Sequence, residues 1–231
     1  MTSLADIVLY ALALPSVIWL ACYAFPLVLN VVLPASPDLK KKYNAQWAVV
    51  TGGSSGIGRA LCDALALQVR VPVPVSPAKP PPHRTHTRTH TQGFNIVMVA
   101  VDDELLNASH SALSNMFPTQ EFRKVGALFA PDVDYMDAIE QATADIDVQC
   151  VFNNAGYMVT GFFHKTSLKS QLSNVECNFT ATVKITHYFL GKMLAKNLKG
   201  CIVFTSSVSG CVPAVGRRRL SFFSFTSYYS Y

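Results

Sequence analysis

Charge is missing from the beginning of the chain, since residues 7–36 contain no Asp, Glu, Lys or Arg. A helix needs about 20 apolar residues to cross the hydrocarbon core of a bilayer. The run therefore predicts an N-terminal transmembrane helix, with residues 1–36 as a membrane anchor. Pro15 and Pro26 are expected to bend or interrupt it.

Basic residues are missing from the segment before this run, because "MTSLAD" has neither Lys nor Arg. The run is also longer than the apolar core of a typical signal peptide, which favours a retained anchor over a cleaved leader. Lys40, Lys41 and Lys42 follow it, and the positive-inside rule then places the rest of the chain in the cytosol. A hairpin insertion with both ends in the cytosol would give the same topology.

Acidic residues are missing from two further stretches, 69–92 and 215–231, which hold seven of the Lys and Arg side chains. Without those seven cations the formal charge of +5 becomes mildly negative. The rest of the chain therefore offers no broad basic surface, and no nucleic-acid partner is expected.

Paired cysteine spacing is missing as well, because the six cysteines are scattered along the chain. They indicate reduced thiols in a cytosol-facing protein and no structural metal site. The three histidines of "HRTHTRTH" have no neighbouring groups that would orient them on a metal. No metal is predicted.

Residues 69–92 interrupt an otherwise regular pattern, since their prolines and Thr/His alternation provide no apolar face. Joining Gln68 to Gly93 restores a helix, a glycine turn and a strand. Valine codons begin with GT, one glutamine codon ends in AG, and the segment runs from Val69 to Gln92. It is interpreted as a disordered insertion, either a tolerated surface loop or a retained intron.

The C-terminal residues 215–231 lose the pattern in the same way, since three arginines precede a low-complexity aromatic tail. Val215 again supplies a GT at this point. A second unspliced intron is the corresponding hypothesis for this tail.

Strands and helices alternate in the remaining sequence. Apolar runs at 47–50, 93–101, 148–153 and 201–206 are typical of buried strands, and helical spacing follows at 59–68, 103–117, 135–145 and 166–198. Residues 122–130 are predicted to be extended. This order predicts an α/β protein in which helices cover both faces of a parallel sheet.

Two motifs carry the chemistry. "TGGSSGIG" at 51–58 lies between a strand and a helix, where glycines let the backbone and the helix N-terminus approach a pyrophosphate. "NNAG" at 153–156 ends a later strand. With these motifs the chain resembles the short-chain dehydrogenase/reductase family over roughly 46–214, excluding the insertion. The resemblance implies a doubly wound Rossmann domain formed by 37–68 and 93–214, incomplete after its fifth strand.

The resemblance also implies the site residues. Asn178 would hold a water in the proton relay, and Ser207 would hydrogen-bond the substrate oxygen. The cofactor would be NADP or NAD, with Asp102 favouring NAD and Arg59 supporting NADP; the reductase character of membrane-anchored members favours NADP. Asp132 and Val133 are assigned to the adenine. The full cofactor-binding set comprises Gly52, Ser54, Ser55, Gly56, Ile57, Gly58, Asp132, Val133, Asn154, Ala155 and Gly156.

In the family a tyrosine follows the serine by about thirteen residues, with a lysine four residues later. Leu220 occupies the tyrosine position here, and no lysine follows Lys199. Tyr188 and Lys192 match the spacing but precede the serine strand, so they are not expected to be catalytic. Little or no turnover is expected, and an unpaired strand edge should promote aggregation.

The resemblance implies a membrane-bound ketone reductase acting on a lipid, similar to very-long-chain 3-oxoacyl-CoA reductases and hydroxysteroid dehydrogenases. The endoplasmic reticulum is the expected membrane, the Rossmann domain would face the cytosol, and a homo-oligomer is compatible with the family. The alternative is a non-catalytic, membrane-tethered dinucleotide-binding or scaffold protein.

Overall fold

The computed structural model describes residues 38–67, 93–207 and 228–230, together with positions 13–15, 17–18, 20–22, 24–25 and 28. The chain divides into two compact units, Met1–Pro37 and Asp38–Tyr231. In the first unit the described positions are helical, and large apolar side chains such as Leu14 and Phe25 are exposed.

Within the described positions, no helix combines the length and the apolar character that a membrane crossing requires. The transmembrane helix thus stays a prediction. The segments predicted as an insertion (69–92) and as a tail beyond the family-like sequence (215–231) lie outside the described residues, apart from 228–230.

The second unit contains a six-stranded sheet with the order β3-β2-β1-β4-β5-β6. Its strands are β1 (Trp47–Thr51), β2 (Asn95–Ala100), β3 (Phe122–Gly126), β4 (Val148–Asn153), β5 (Cys201–Phe204) and β6 (Tyr228–Ser230). The first five are parallel. The crossover from β3 past β1 to β4 reverses the direction of winding, which confirms the doubly wound sheet.

The helices are α1 (Leu39–Tyr43), α2 (Gly56–Ala66), α3 (Glu104–Met116), α4 (Met136–Ala142), α5 (Leu168–Val175) and α6 (Ala181–Ala195). A π-helical segment, Glu176–Thr180, joins α5 to α6, and a 3₁₀ turn covers Phe163–Lys165. The single helix predicted over 166–198 is therefore divided at Glu176.

Side chains of the parallel strands alternate between two apolar layers. Val50, Met98 and Phe152 face one layer, which includes α2 and α3. Val49 and Val151 face the other, which includes α4 and α6. Burial on both sides explains the nearly continuous apolar strands. Because β1, β2 and β4 are parallel, their carboxyl ends lie at the same edge of the sheet.

The predicted open edge at β5 is not what the structure contains. Tyr228–Ser230 forms the antiparallel strand β6 and pairs with β5, with Ile202 opposite Tyr229. The expectation of an unpaired edge was wrong, because the chain's own last residues occupy the hydrogen-bonding groups of β5 along this register.

The residues that flank the segment 69–92 lie against each other. The amide of Phe94 donates to the carbonyl of Leu65 at 3.1 Å, and a Cβ added to Gly93 would lie 2.0 Å from the Ala66 oxygen. The end of α2 and the approach to β2 therefore contact each other directly.

Candidate active site

The glycine-rich turn between β1 and α2 has no room for a side chain at Gly52 or Gly58. Gly52 has a φ of +67°, and a Cβ there would lie 3.0 Å from the Cα of Ala155. A Cβ on Gly58 would lie 2.1 Å from the Gly52 oxygen and 2.6 Å from the Asn154 amide nitrogen. Glycine is required at both positions because the turn folds back on α2 and packs against β4.

The turn is held against the end of β4 by hydrogen bonds through Thr51. Its hydroxyl oxygen accepts from the amides of Asn154 and Ala155, each at 2.9 Å. The Asn154 side chain donates to the Thr51 carbonyl at 3.1 Å and accepts from the Thr205 hydroxyl at 3.1 Å. The two sequence motifs therefore form one braced unit at the carboxyl edge of the sheet.

Thr51 and Thr205 were not among the predicted site residues. Both end or follow strands whose neighbours in the sheet carry the motifs. A hydroxyl at the last position of a buried strand, directly before a glycine turn, is the sequence signal that could have identified Thr51.

A cavity of about 830 Å³ opens at this edge and collects most of the predicted residues. From the cofactor-binding set it is lined by Gly52, Ser54, Ser55, Gly56, Ile57, Asn154, Ala155 and Gly156. The two predicted catalytic residues, Asn178 and Ser207, line the same cavity. Gly58 does not line the cavity. It packs against the Gly52 carbonyl and the Asn154 side chain, which support the turn.

Asp132 and Val133 do not line this cavity. They are exposed, several residues beyond the end of β3. The wall beside β3 is formed instead by Ala127, Leu128, Phe129 and Ala130, which follow the strand directly. The extended stretch predicted over 122–130 ends as a strand at Gly126, and the first residues after a parallel strand are those that reach the cleft.

Asn178 lies within the π-helical segment, a local feature that often marks functional sites. Its side-chain oxygen accepts from the Tyr157 amide at 3.0 Å, and its nitrogen donates to the Tyr157 carbonyl at 2.9 Å. The Asn174 side chain donates to the same carbonyl at 2.6 Å. These bonds fix the chain after "NNAG" at the cavity mouth.

A buried carboxylate anchors the π-helical segment from behind. Glu176 accepts from the Tyr135 hydroxyl at 2.6 Å and from the Lys184 ammonium at 2.8 Å. Burial acts to raise the pKa of Glu176, but the hydrogen bonds from Lys184 and Tyr135 outweigh it and lower the pKa. Burial and the Glu176 carboxylate raise the pKa of Tyr135. Glu176 therefore remains ionised at neutral pH.

Tyr188 and Lys192 occupy α6, outside the cavity lining. Lys192 donates to the Thr143 carbonyl at 2.6 Å, and its nitrogen lies 3.5 Å from the Tyr188 hydroxyl. Thr143 lies between α4 and the start of β4, so the pair faces the amino edge of the sheet. It cannot reach a group bound at the carboxyl edge.

The residues at the carboxyl edge fit a dinucleotide. Ser55 begins α2 without capping it through its side chain, which leaves the first amides of the helix available to a phosphate. Gly56 has open space where a side chain would stand. These glycines and the N-terminus of α2 lie where the sheet reverses its winding direction, between β1 and β4. This is the place where doubly wound sheets bind their ligands.

Arg59 is not available for a phosphate in this arrangement. Its guanidinium donates to Asp63 at 3.2 Å and to the Ser109 carbonyl at 3.2 Å, and it does not line the cavity. Asp103, which follows β2, does line it. Asp102 instead packs over Gly126. A Cβ added to Gly126 would lie 2.6 Å from the Cβ of Asp102.

The family model for short chain dehydrogenases matches residues 83–218, which is more than half of the chain. The chain belongs to this family. The match includes the "NNAG" motif, Asn178 and Ser207. It begins inside the segment 69–92 and after the glycine-rich turn.

Among curated relatives of this short-chain dehydrogenase, the hydroxysteroid dehydrogenase-like protein 1 of Gallus gallus is 27% identical over 203 residues, covering 84% of the chain and 53% of the relative. The mouse protein, named inactive hydroxysteroid dehydrogenase-like protein 1, is 25% identical and covers 78% and 47%. A very-long-chain 3-oxoacyl-CoA reductase of Podospora anserina is 27% identical and covers 81% and 49%. The chain spans about half the length of these relatives.

Solved structures share the fold. A 7beta-hydroxysteroid dehydrogenase superposes with a TM-score of 0.59 at 21% identity, covering 75% of this chain and 57% of that one. A short-chain dehydrogenase from Sphingobium yanoikuyae in complex with NADPH gives a TM-score of 0.56 at 22% identity, covering 73% and 56%. Both likenesses concern the parallel α/β architecture.

Proposed function

We propose that the chain binds a nicotinamide dinucleotide, NADP or NAD, and belongs to an oxidoreductase that reduces a ketone on a lipid. One observation carries the proposal. The glycine turn, the uncapped N-terminus of α2, Asn178 and Ser207 all open into one cavity at the strand switch. A cavity of about 830 Å³ is of the size that accommodates an extended ligand.

In this proposal, different residues of the cavity bind the dinucleotide and the substrate. The amides of α2 and the backbone of Gly52 and Gly56 bind the pyrophosphate. Leu128 and Phe129, rather than Asp132 and Val133, pack beside the adenine. When bound, the nicotinamide supplies or accepts the hydride. Ser207 then orients the substrate oxygen by a hydrogen bond, and Asn178 fixes the Tyr157 backbone beside it.

The choice between the two dinucleotides follows from charge at the end of β2. An acid there favours a ribose hydroxyl, whereas a 2′-phosphate requires a cation. Asp103 lines the cavity, and Arg59 is occupied by Asp63 and Ser109. We expect NADH to bind at least as tightly as NADPH.

The lipid substrate and the membrane location rest on two supports. The relatives named above include proteins called very-long-chain 3-oxoacyl-CoA reductase and hydroxysteroid dehydrogenase-like. The run 7–36 carries no charge, and its described large apolar side chains are more than half exposed. An anchor in the endoplasmic reticulum with the Rossmann unit in the cytosol suits a substrate that partitions into the bilayer. A homo-oligomer is a further proposal.

Turnover by the 231-residue chain itself is not expected. The tyrosine and lysine pair that the family resemblance implies after Ser207 is absent from its sequence, so the acid–base pair expected to pass a proton to the substrate oxygen is missing. The relative named as inactive supports the second candidate, a membrane-tethered protein that binds the dinucleotide without catalysis.

Calorimetry on the full chain in detergent micelles tests the proposal. We expect saturable binding of NADH and NADPH, with NADH no weaker, and no oxidation of either in the presence of a 3-oxoacyl or steroid ketone. Absence of binding by a folded chain would contradict the dinucleotide site. Binding with measurable turnover would instead contradict the inactive assignment.

A further inference from the structure

The surface beside the cavity mouth combines exposed apolar side chains with positive charge. The mouth segment, defined as residues 157–175, contains Lys165, Lys169 and His164 but no acidic residue. Its exposed large apolar side chains are Tyr157, Met158, Phe162, Phe163, Leu168, Leu172 and Val175, between 37% and 70% accessible.

Helix α5 brings the apolar surface and the cavity together. Leu168, Leu172 and Val175 recur at helical spacing and form one exposed stripe. Lys169 and Ser173, one position further along, line the cavity. The stripe is therefore the outer rim of the part of the cavity wall that α5 forms.

The preceding loop extends the same rim. Tyr157 and Met158 line the cavity while remaining largely exposed. The Lys165 ammonium lies 5.6 Å from the centre of the Phe162 ring, so cationic and aromatic groups are interleaved. The nearest acid in sequence, Glu176, is buried and paired with Lys184.

We propose that the mouth segment docks on the surface of an anionic phospholipid bilayer and opens the cavity toward it. Aromatic and apolar side chains would enter the interfacial region, and Lys165 and Lys169 would face the lipid phosphates. A lipid substrate would then reach Ser207 without crossing water. This proposal rests on the proposed membrane association and names the face that it uses.

Hydrogen exchange measured by mass spectrometry on the full chain tests the docking face. The chain is placed in nanodiscs of phosphatidylcholine, in nanodiscs that also contain phosphatidylserine, and in detergent micelles. Residues 157–162 contain no helix or strand, so their amides report contact rather than secondary structure. We expect slower exchange across 157–175 in the anionic nanodiscs, with Glu104–Met116 unchanged.

Variants separate the contributions of charge and apolar contact. Lys165→Glu with Lys169→Glu should remove the difference between the two nanodiscs, since each cation near an anionic surface contributes roughly a fivefold factor in partitioning. Phe162→Ser with Phe163→Ser should restore fast exchange. The matched control is Met116→Ser with Leu194→Ser, at side chains 60% and 64% exposed on the opposite edge of the sheet, and it should change nothing.

Three results would overturn the proposal. If the chain enters nanodiscs but 157–175 exchanges as in detergent, the membrane association stands and the docking face is wrong. If the chain does not enter nanodiscs, both fail. If protection of 157–175 appears in detergent and rises with protein concentration, the surface is an interface with a second copy.

Discussion

At the residue scale, the absence of one carbon atom at Gly58 determines the shape of the dinucleotide turn. Gly58→Ala should weaken binding of NADH by at least about tenfold, because the new methyl group would displace the Gly52 carbonyl and the Asn154 side chain. Isothermal titration calorimetry on the full chain in micelles gives the affinity.

Gly191→Ala is the matched control for this change. Gly191 also lies in a helix, α6, but an added Cβ meets no atom within 4 Å. The affinity of the Gly191→Ala variant for NADH should stay unchanged. Its free energy of unfolding should rise by roughly 0.5–1 kcal/mol because alanine favours the helix. Equal NADH affinities for the two variants would refute the role given to Gly58.

At the element scale, the π-helical segment depends on the buried Glu176. Replacing Glu176 with Gln leaves the Lys184 ammonium and Tyr135 hydroxyl without their charged acceptor. We expect the free energy of unfolding at pH 7 to fall by about 1–3 kcal/mol. Urea unfolding of the full chain in micelles, followed by circular dichroism, measures this loss.

The same carboxylate predicts a pH dependence. The folded-state pKa of Glu176 is lowered, so its stabilisation is complete above the unfolded glutamate pKa, about 4.3, and disappears as the pH falls through the lower folded value. The difference between wild type and Glu176→Gln should therefore shrink below about pH 4.

Asp147→Asn provides the control for the glutamate substitution. Asp147 pairs with Lys196, but both side chains are about half exposed, so the loss should be less than about 1 kcal/mol. If both amide variants lose the same stability, burial of Glu176 is not what anchors the π-helical segment.

At the scale of the whole molecule, the fold should not need residues 69–92. Leu65 and Phe94 are already hydrogen-bonded, and Gly93 lies against Ala66. Joining Gln68 to Gly93 should preserve the far-ultraviolet spectrum and raise the free energy of unfolding by about 1–2 kcal/mol, since a long loop no longer has to be closed.

A chain in which 69–92 is replaced by a Gly/Ser linker of equal length is the control, and it should match the unmodified chain. Loss of cooperative unfolding on deletion, with the linker variant intact, would mean that the flanking contacts need a longer connection. Sequencing the messenger RNA across the codons for Gln68 and Gly93 tests the intron hypothesis separately.

The sequence alone determined the parallel α/β layering, because strands buried on both faces must be apolar throughout and helices must alternate with them. It also located the glycine turn and "NNAG", since both obey local rules of strand ends and helix starts. Asn178 and Ser207 came from the family resemblance, and the structure brings them into the same cavity.

Only the tertiary structure decided which residues meet at the cavity. Asp132 and Val133 lie too far beyond β3 to line it, and the bracing roles of Thr51 and Thr205 depend on strands that are distant in sequence. The helix breaks at Glu176, where the buried carboxylate pairs with Lys184 one element further along, and β5 pairs with residues 228–230. These features depend on distances between separate elements, which no local sequence pattern specifies.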